Sequence, residues 1–107
     1  MIKKFYISDE DPQLWMIENR PKVMDLIYEN IFDFYESGKS EKTIARIFTS
    51  YQIRKDGRNL TLDFALKKES LSDTLTKCQL YYEEIEQYER CARLFELKKI
   101  MEQDLVD

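Results

Sequence analysis

Apolar residues between Val23 and Tyr35 recur at helical spacing: Val23, Met24, Ile27, Tyr28, Ile31, Phe34 and Tyr35, with Lys22, Asp25, Glu29, Asp33 and Glu36 between them. This predicts an amphipathic helix with one core face and one mostly acidic solvated face. Upstream, Asp11-Pro12 supplies an N-cap and a first helical position. Pro21 restarts or kinks the helix, and Gly38 suits the position just past its end. A second pattern predicts one long helix from Ser70 to about Asp104, because Ser70 or Ser72 can cap it and no Gly or Pro interrupts it. It carries two stripes. Leu71, Leu75, Cys78, Tyr82, Ile85, Ala92 and Phe95 form the first; Cys91, Leu94, Leu97, Met101 and Leu105 form a second, offset one. One stripe closes a core, so the second calls for another neighbour, either the N-terminal helix or a second chain.

Between the two helices the alternation has period two. Asp56-Gly57 provides the positive φ values of a type I′ turn, which sets Ile53 opposite Leu60, Tyr51 opposite Leu62, Thr49 opposite Phe64 and Ile47 opposite Leu66. Ile44, Ile47, Phe48 and Tyr51 also fit helical spacing, so Lys42 to Phe48 can be read either way, with the hairpin preferred. Met1 to Ser8 offers a third strand, with Ile2, Lys4 and Tyr6 on one face and Lys3, Phe5 and Ile7 on the other. The expected fold is α+β: an N-terminal helical segment, a central β-hairpin that residues 1–8 can extend, and a long C-terminal helix, all in one domain.

Composition supports this reading. The chain has 107 residues, 43% apolar and 36% charged, with only two Gly and two Pro, which suits long helices and a modest core. With no apolar leader and no 18-residue uncharged run, neither secretion nor membrane spanning is expected, and the cytoplasm is the expected location. Ten Ile, eleven Lys and seven Tyr against no His suit an A+T-rich coding genome, that of a low-GC bacterium or its phage. Cys78 and Cys91, on one helix, would lie roughly 20 Å apart at ~1.5 Å per residue and remain free thiols.

Charge is unevenly spread. Residues 1–38 carry four basic and eight acidic side chains, 39–68 eight and three, and 69–107 five and ten. On the predicted hairpin Arg46, Arg54 and Lys67 lie on the outer face, while Lys55 and Arg58 flank the turn. A basic ribbon of this kind suits an acidic protein surface or nucleic-acid phosphates, and lysines also keep a sheet edge soluble. Tyr51 and Phe64 fall on the core side of the hairpin, which argues against base stacking there.

Two short stretches bear a likeness to known families. YESGKSEKTIARIF, Tyr35 to Phe48, resembles the first part of bacterial helix-turn-helix domains, although TSYQIRKDG lacks the start of a recognition helix. YERCARLFELKKI, Tyr88 to Ile100, resembles the second helix of UVR-type motifs, short helical hairpins used for docking between proteins. The turn that precedes that helix in the family is missing between Ile85 and Tyr88, and no functional residue is carried over.

Enzyme chemistry has little support: no His, no Gly-rich phosphate loop and no Cys pair at metal spacing. Asp9, Glu10 and Asp11 suit a helix start better than a metal, and Glu83, Glu84, Glu86 and Glu89 suit a solvated face better than paired carboxylates. The expectation is a non-catalytic regulator, adaptor or inhibitor without metal or cofactor. It binds an acidic protein partner through Arg46, Arg54, Lys55, Arg58 and Lys67, with nucleic acid as the alternative ligand. Leu94, Leu97, Met101 and Leu105 are the expected interface of a two-fold homodimer.

Overall fold

The computed structural model describes residues 2–7, 10–49 and 60–106, with the backbone alone for 60, 105 and 106. Strand β1 spans Lys3–Ile7, followed by α1 (Pro12–Glu18) and α2 (Arg20–Ser37). The Asp11 side chain accepts a bond from the Gln13 amide at 3.0 Å and Pro12 opens α1, as the cap pair predicts. Pro21 sits in the first turn of α2, and Gly38 closes that helix with φ 71°. Strands β2 (Glu41–Thr49) and β3 (Leu60–Lys67) follow, then a 3-10 turn at Lys68–Ser70, α3 (Leu71–Glu84) and α4 (Tyr88–Val106).

The sheet order is β1-β2-β3, with β1 parallel and β3 antiparallel to β2. The α1–α2 crossover permits the parallel pair. Residues 1–8 therefore do contribute a third strand, and Lys42–Phe48 is strand, not the opening helix of a helix-turn-helix. The hairpin register differs from the expected one. Ile47 faces Leu62, not Leu66, and Thr49 faces Leu60, not Phe64. This is a slip of four positions, which leaves each residue on its face because side-chain direction repeats every two residues. Ile53, Tyr51 and the Asp56-Gly57 turn lie outside the described residues.

A bulge at Ile44 interrupts the ladder between the Thr43–Ala65 and Ala45–Phe64 pairs. It explains the helical look of this segment. Ile44 and Ile47 are three apart, yet both are buried, which a regular strand would not allow.

The predicted single C-terminal helix is two helices. Tyr82 and Glu83 carbonyls accept from Gln87 at 2.8 Å and Glu86 at 3.1 Å, and Glu86 has φ 62°. This is a Schellman stop, with glutamate where glycine is usual. The turn missing from the sequence reading is thus present, and α4 folds back along α3. The reversal also changes which stripe is inside. Leu94 and Leu97 are buried in one core with Ile27, Ile31, Phe34, Ile44, Leu66, Leu71, Leu75, Cys78, Tyr81 and Tyr82, and Met101 packs against it. Ile85 and Phe95, from the first stripe, are exposed.

The helices cover one face of the sheet. Phe5 reaches Trp15 of α1 with ring centroids 4.9 Å apart, Phe64 and Leu66 meet the helical core, and the buried Thr49 hydroxyl donates to the Glu10 carbonyl. A polar latch ties α2, α3 and α4 together. The Tyr82 hydroxyl donates to Asp25 at 2.6 Å, and Arg90 donates to both while lying over the Tyr28 ring. No helix among the described residues is long and apolar enough to cross a membrane.

Candidate functional site

The sheet's other face is built from alternate residues: Lys4 and Tyr6 on β1, Thr43, Arg46 and Phe48 on β2, and Thr61, Asp63 and Ala65 on β3. Inward residues satisfy the core, so the period-two rule sends these outward. Tyr6 and Phe48 are cross-strand partners whose rings stack at 5.0 Å with 11° between planes, and Tyr6 is 76% exposed. The Tyr6 ring, backed by the half-buried Phe48, therefore faces solvent. It sits at the end of the sheet where the chain leaves β2 at Thr49 and rejoins β3 at Leu60.

Arg46 occupies this face as predicted, but it is paired: its Nε and Nη2 donate to the two Asp63 oxygens at 2.6 and 3.1 Å. This two-pronged bond, followed by the cation's charge, holds the Asp63 carboxyl below its usual range. Lys67 is exposed opposite Glu41 at the far end of the sheet. Arg54, Lys55 and Arg58 lie outside the described residues. The predicted basic set is therefore brought together only in part, and two of its members face carboxylates. Tyr6 and Phe48 were not among the predicted site residues. The alternation of Tyr6 with Phe5 was visible, but its pairing with Phe48 depends on a parallel strand contact that no local signal announces.

The predicted oligomer interface is placed differently. Leu94 and Leu97 are interior, Met101 is half-buried against them, and the side chain of Leu105 lies outside the described ones. Leu94, Leu97 and Met101 are covered by the chain itself, because the turn at 85–87 folds α4 onto the core. Among the described residues no group of three or more His, Cys, Asp or Glu is placed to hold a metal; Asp9 lies outside them, and Glu83, Glu84, Glu86 and Glu89 are exposed. Glu84 bonds Arg20 at 3.3 Å. Both cysteines are free. They sit on two packed helices, not on one rod, with Cys91 Sγ 3.5 Å from the Gln79 carbonyl. Burial pushes the Cys78 thiol up to about 12.

An open cleft between the ends of α2 and α4 has an apolar floor of Phe34, Leu71 and Met101. Lys39, Lys68, Glu36, Glu69 and Asp104 on its rim carry mixed charge without a convergent set.

Charge separates by layer. Among the described residues, 2–7, 39–49 and 60–68 hold seven basic and two acidic side chains; residues 10–38 and 69–106, mostly helical, hold seven and sixteen. The aromatic face thus belongs to the cationic layer of an otherwise acidic molecule. Comparison with protein-family models, with characterised proteins and with solved structures gives no match.

Proposed function

We propose that the chain is a non-catalytic binding protein whose open sheet face takes single-stranded nucleic acid. The Tyr6 ring, stacked on the half-buried Phe48 and exposed on the face opposite the helices, is the observation that carries this reading. Every base has a π-face, so an exposed aromatic on a flat sheet binds bases with little sequence preference, at about 1–3 kcal/mol per stacked base. Lys4 precedes Tyr6 by two residues on the same face of β1, so a backbone passing the aromatics meets a cation there. Acidic helices on the opposite side repel a polyanion and restrict it to the sheet.

The test is fluorescence anisotropy with labelled single-stranded DNA and RNA of mixed sequence. Micromolar or tighter binding is expected at physiological salt, with log affinity falling linearly in log salt by about 0.7 per phosphate neutralised. Tyr6→Ala should weaken it about tenfold or more. Absence of binding, or binding indifferent to Tyr6→Ala, removes the reading.

A second reading keeps the face and changes the ligand to an acidic protein partner. Its support is the near-neutral balance of the described face, where Arg46 meets Asp63 and Lys67 meets Glu41. An interface with a protein tolerates such mixed pairs at its rim. In that case salt chiefly slows association and the affinity changes little.

A further inference from the structure

Glu86 holds the left-handed backbone of a helix stop, with φ 62°, a conformation that strains any side chain but is free for glycine. Nothing else in the sequence marks a stop. From Leu71 to Val106 the chain has no Gly or Pro, so local preference runs toward one continuous helix, against the reversal that the fold imposes. The turn also leaves helical bonds unmade: the amides of Tyr88, Glu89 and Arg90 open α4, where no carbonyl lies one turn back. In a straight helix they donate to the carbonyls of Glu84, Ile85 and Glu86. A straight helix also continues the stripe of Leu75, Cys78 and Tyr82 through Ile85, Ala92 and Phe95. Of these, Ile85 is 45% and Phe95 48% exposed in the reversed form. What opposes straightening is the core, which Leu94, Leu97 and Met101 have to cover.

We infer that the turn at 85–87 is a hinge through which two copies of the chain exchange α4. In each copy α3 and α4 straighten into one rod, and Leu94, Leu97 and Met101 of one copy pack into the core of the other. Arg90 then donates to Asp25 and Tyr82 of the second copy, the bonds it makes within its own chain in the closed form. The helix that covers the core is the same in both forms, so exchange needs no new surface. The balance therefore falls on the hinge: two strained glutamates relax and helical bonds are gained, against the entropy of joining two chains. A short strained connection between packed elements is the setting that favours such exchange. It is independent of what the sheet face binds.

Sedimentation equilibrium from 10 to 500 μM, on chain refolded from urea at each concentration, tests it. The wild-type mass should rise from 13.0 kDa toward twice that value. Glu86→Gly, which relaxes the stop and weakens the rod, should lower the association constant about tenfold or more. Glu86→Val, β-branched and averse to positive φ but accepted in a helix, should raise it. Circular dichroism checks that both variants stay folded. Spin labels at Asp73→Cys and Lys99→Cys, in a Cys91→Ser chain whose Cys78 is buried, then separate exchange from surface docking. Tyr82 and Arg90 are bonded across the helix pair, and nine residues further along each helix bring positions 73 and 99 to neighbouring turns; a continuous helix sets them about 39 Å apart. Refolded with excess unlabelled chain, the dimer should show the long distance and the single chain the short one. A wild-type chain that stays single throughout overturns the inference, as does a doubled mass that shows only the short distance or is unmoved by Glu86→Gly.

Discussion

Arg46 and Asp63 neutralise each other on an exposed face, so their pair contributes more to the charge pattern of that face than to stability. Asp63→Asn should therefore leave the thermal midpoint almost unchanged while releasing a cation beside Phe48. Anisotropy titrations should show tighter binding of single-stranded oligonucleotide and a salt slope steeper by up to about 0.7. The buried titrating groups behave differently. Burial and, for Tyr82, the bond it donates to Asp25 hold the Cys78 thiol and the Tyr82 phenol above their ordinary values. Their protonated forms are the ones the fold favours, so the stability they contribute is complete below the unfolded values and is lost as pH rises through the native ones. Urea midpoints should accordingly fall from about pH 9 upward, where the unfolded thiol begins to ionise. In a thiol-labelling time course Cys91 should react in the native state, and Cys78 only at the rate of unfolding. Free thiols were expected from the sequence, but for a reason that does not hold. A 13-residue separation sets a long distance only if the helix between is unbroken, and here it is not.

Glu86 is the clearest case of an element boundary hidden by residue identity. A left-handed C′ position is usually glycine; glutamate there gives no signal, so α3 and α4 read as one helix. What the sequence did carry was the phase jump from Leu71–Cys78–Tyr82 to Leu94–Leu97–Met101, which no straight helix can present to one core. Glu86→Gly should relieve the strained backbone and stabilise the chain by about 1 kcal/mol, read as a higher urea midpoint at constant slope. Gly38→Ala, at φ 71°, should cost a similar amount. The strands show the opposite situation. Alternation correctly identified which face of each strand is apolar, because the period is two, yet it is satisfied equally by any even slip. A type I′ turn at Asp56-Gly57 selects one slip, and the ladder follows another. The helix caps at Asp11, Pro21 and Gly38 were readable because each rests on one residue's own backbone preference.

Packed together, these elements sort the chain's charge. The helical segments carry the acidic excess and the strand segments the basic one, although the whole has a net charge of only −4. Segment counting exposed the basic region from sequence, but not the aromatic pair, because β1 and β2 meet only after 33 intervening residues. On the hairpin alone Tyr51 and Phe64 fall on the core side, which argues against base stacking; the parallel contact between β1 and β2 brings Tyr6 beside Phe48 on the other face. The most direct test is an amide and aromatic chemical-shift map of the uniformly labelled protein titrated with a single-stranded oligonucleotide at physiological salt. Shifts should concentrate at Lys4, Tyr6, Arg46, Phe48 and Thr61 and spare α2 and α3. Saturating shifts confined to the helices, or none at all at any position, would contradict the account.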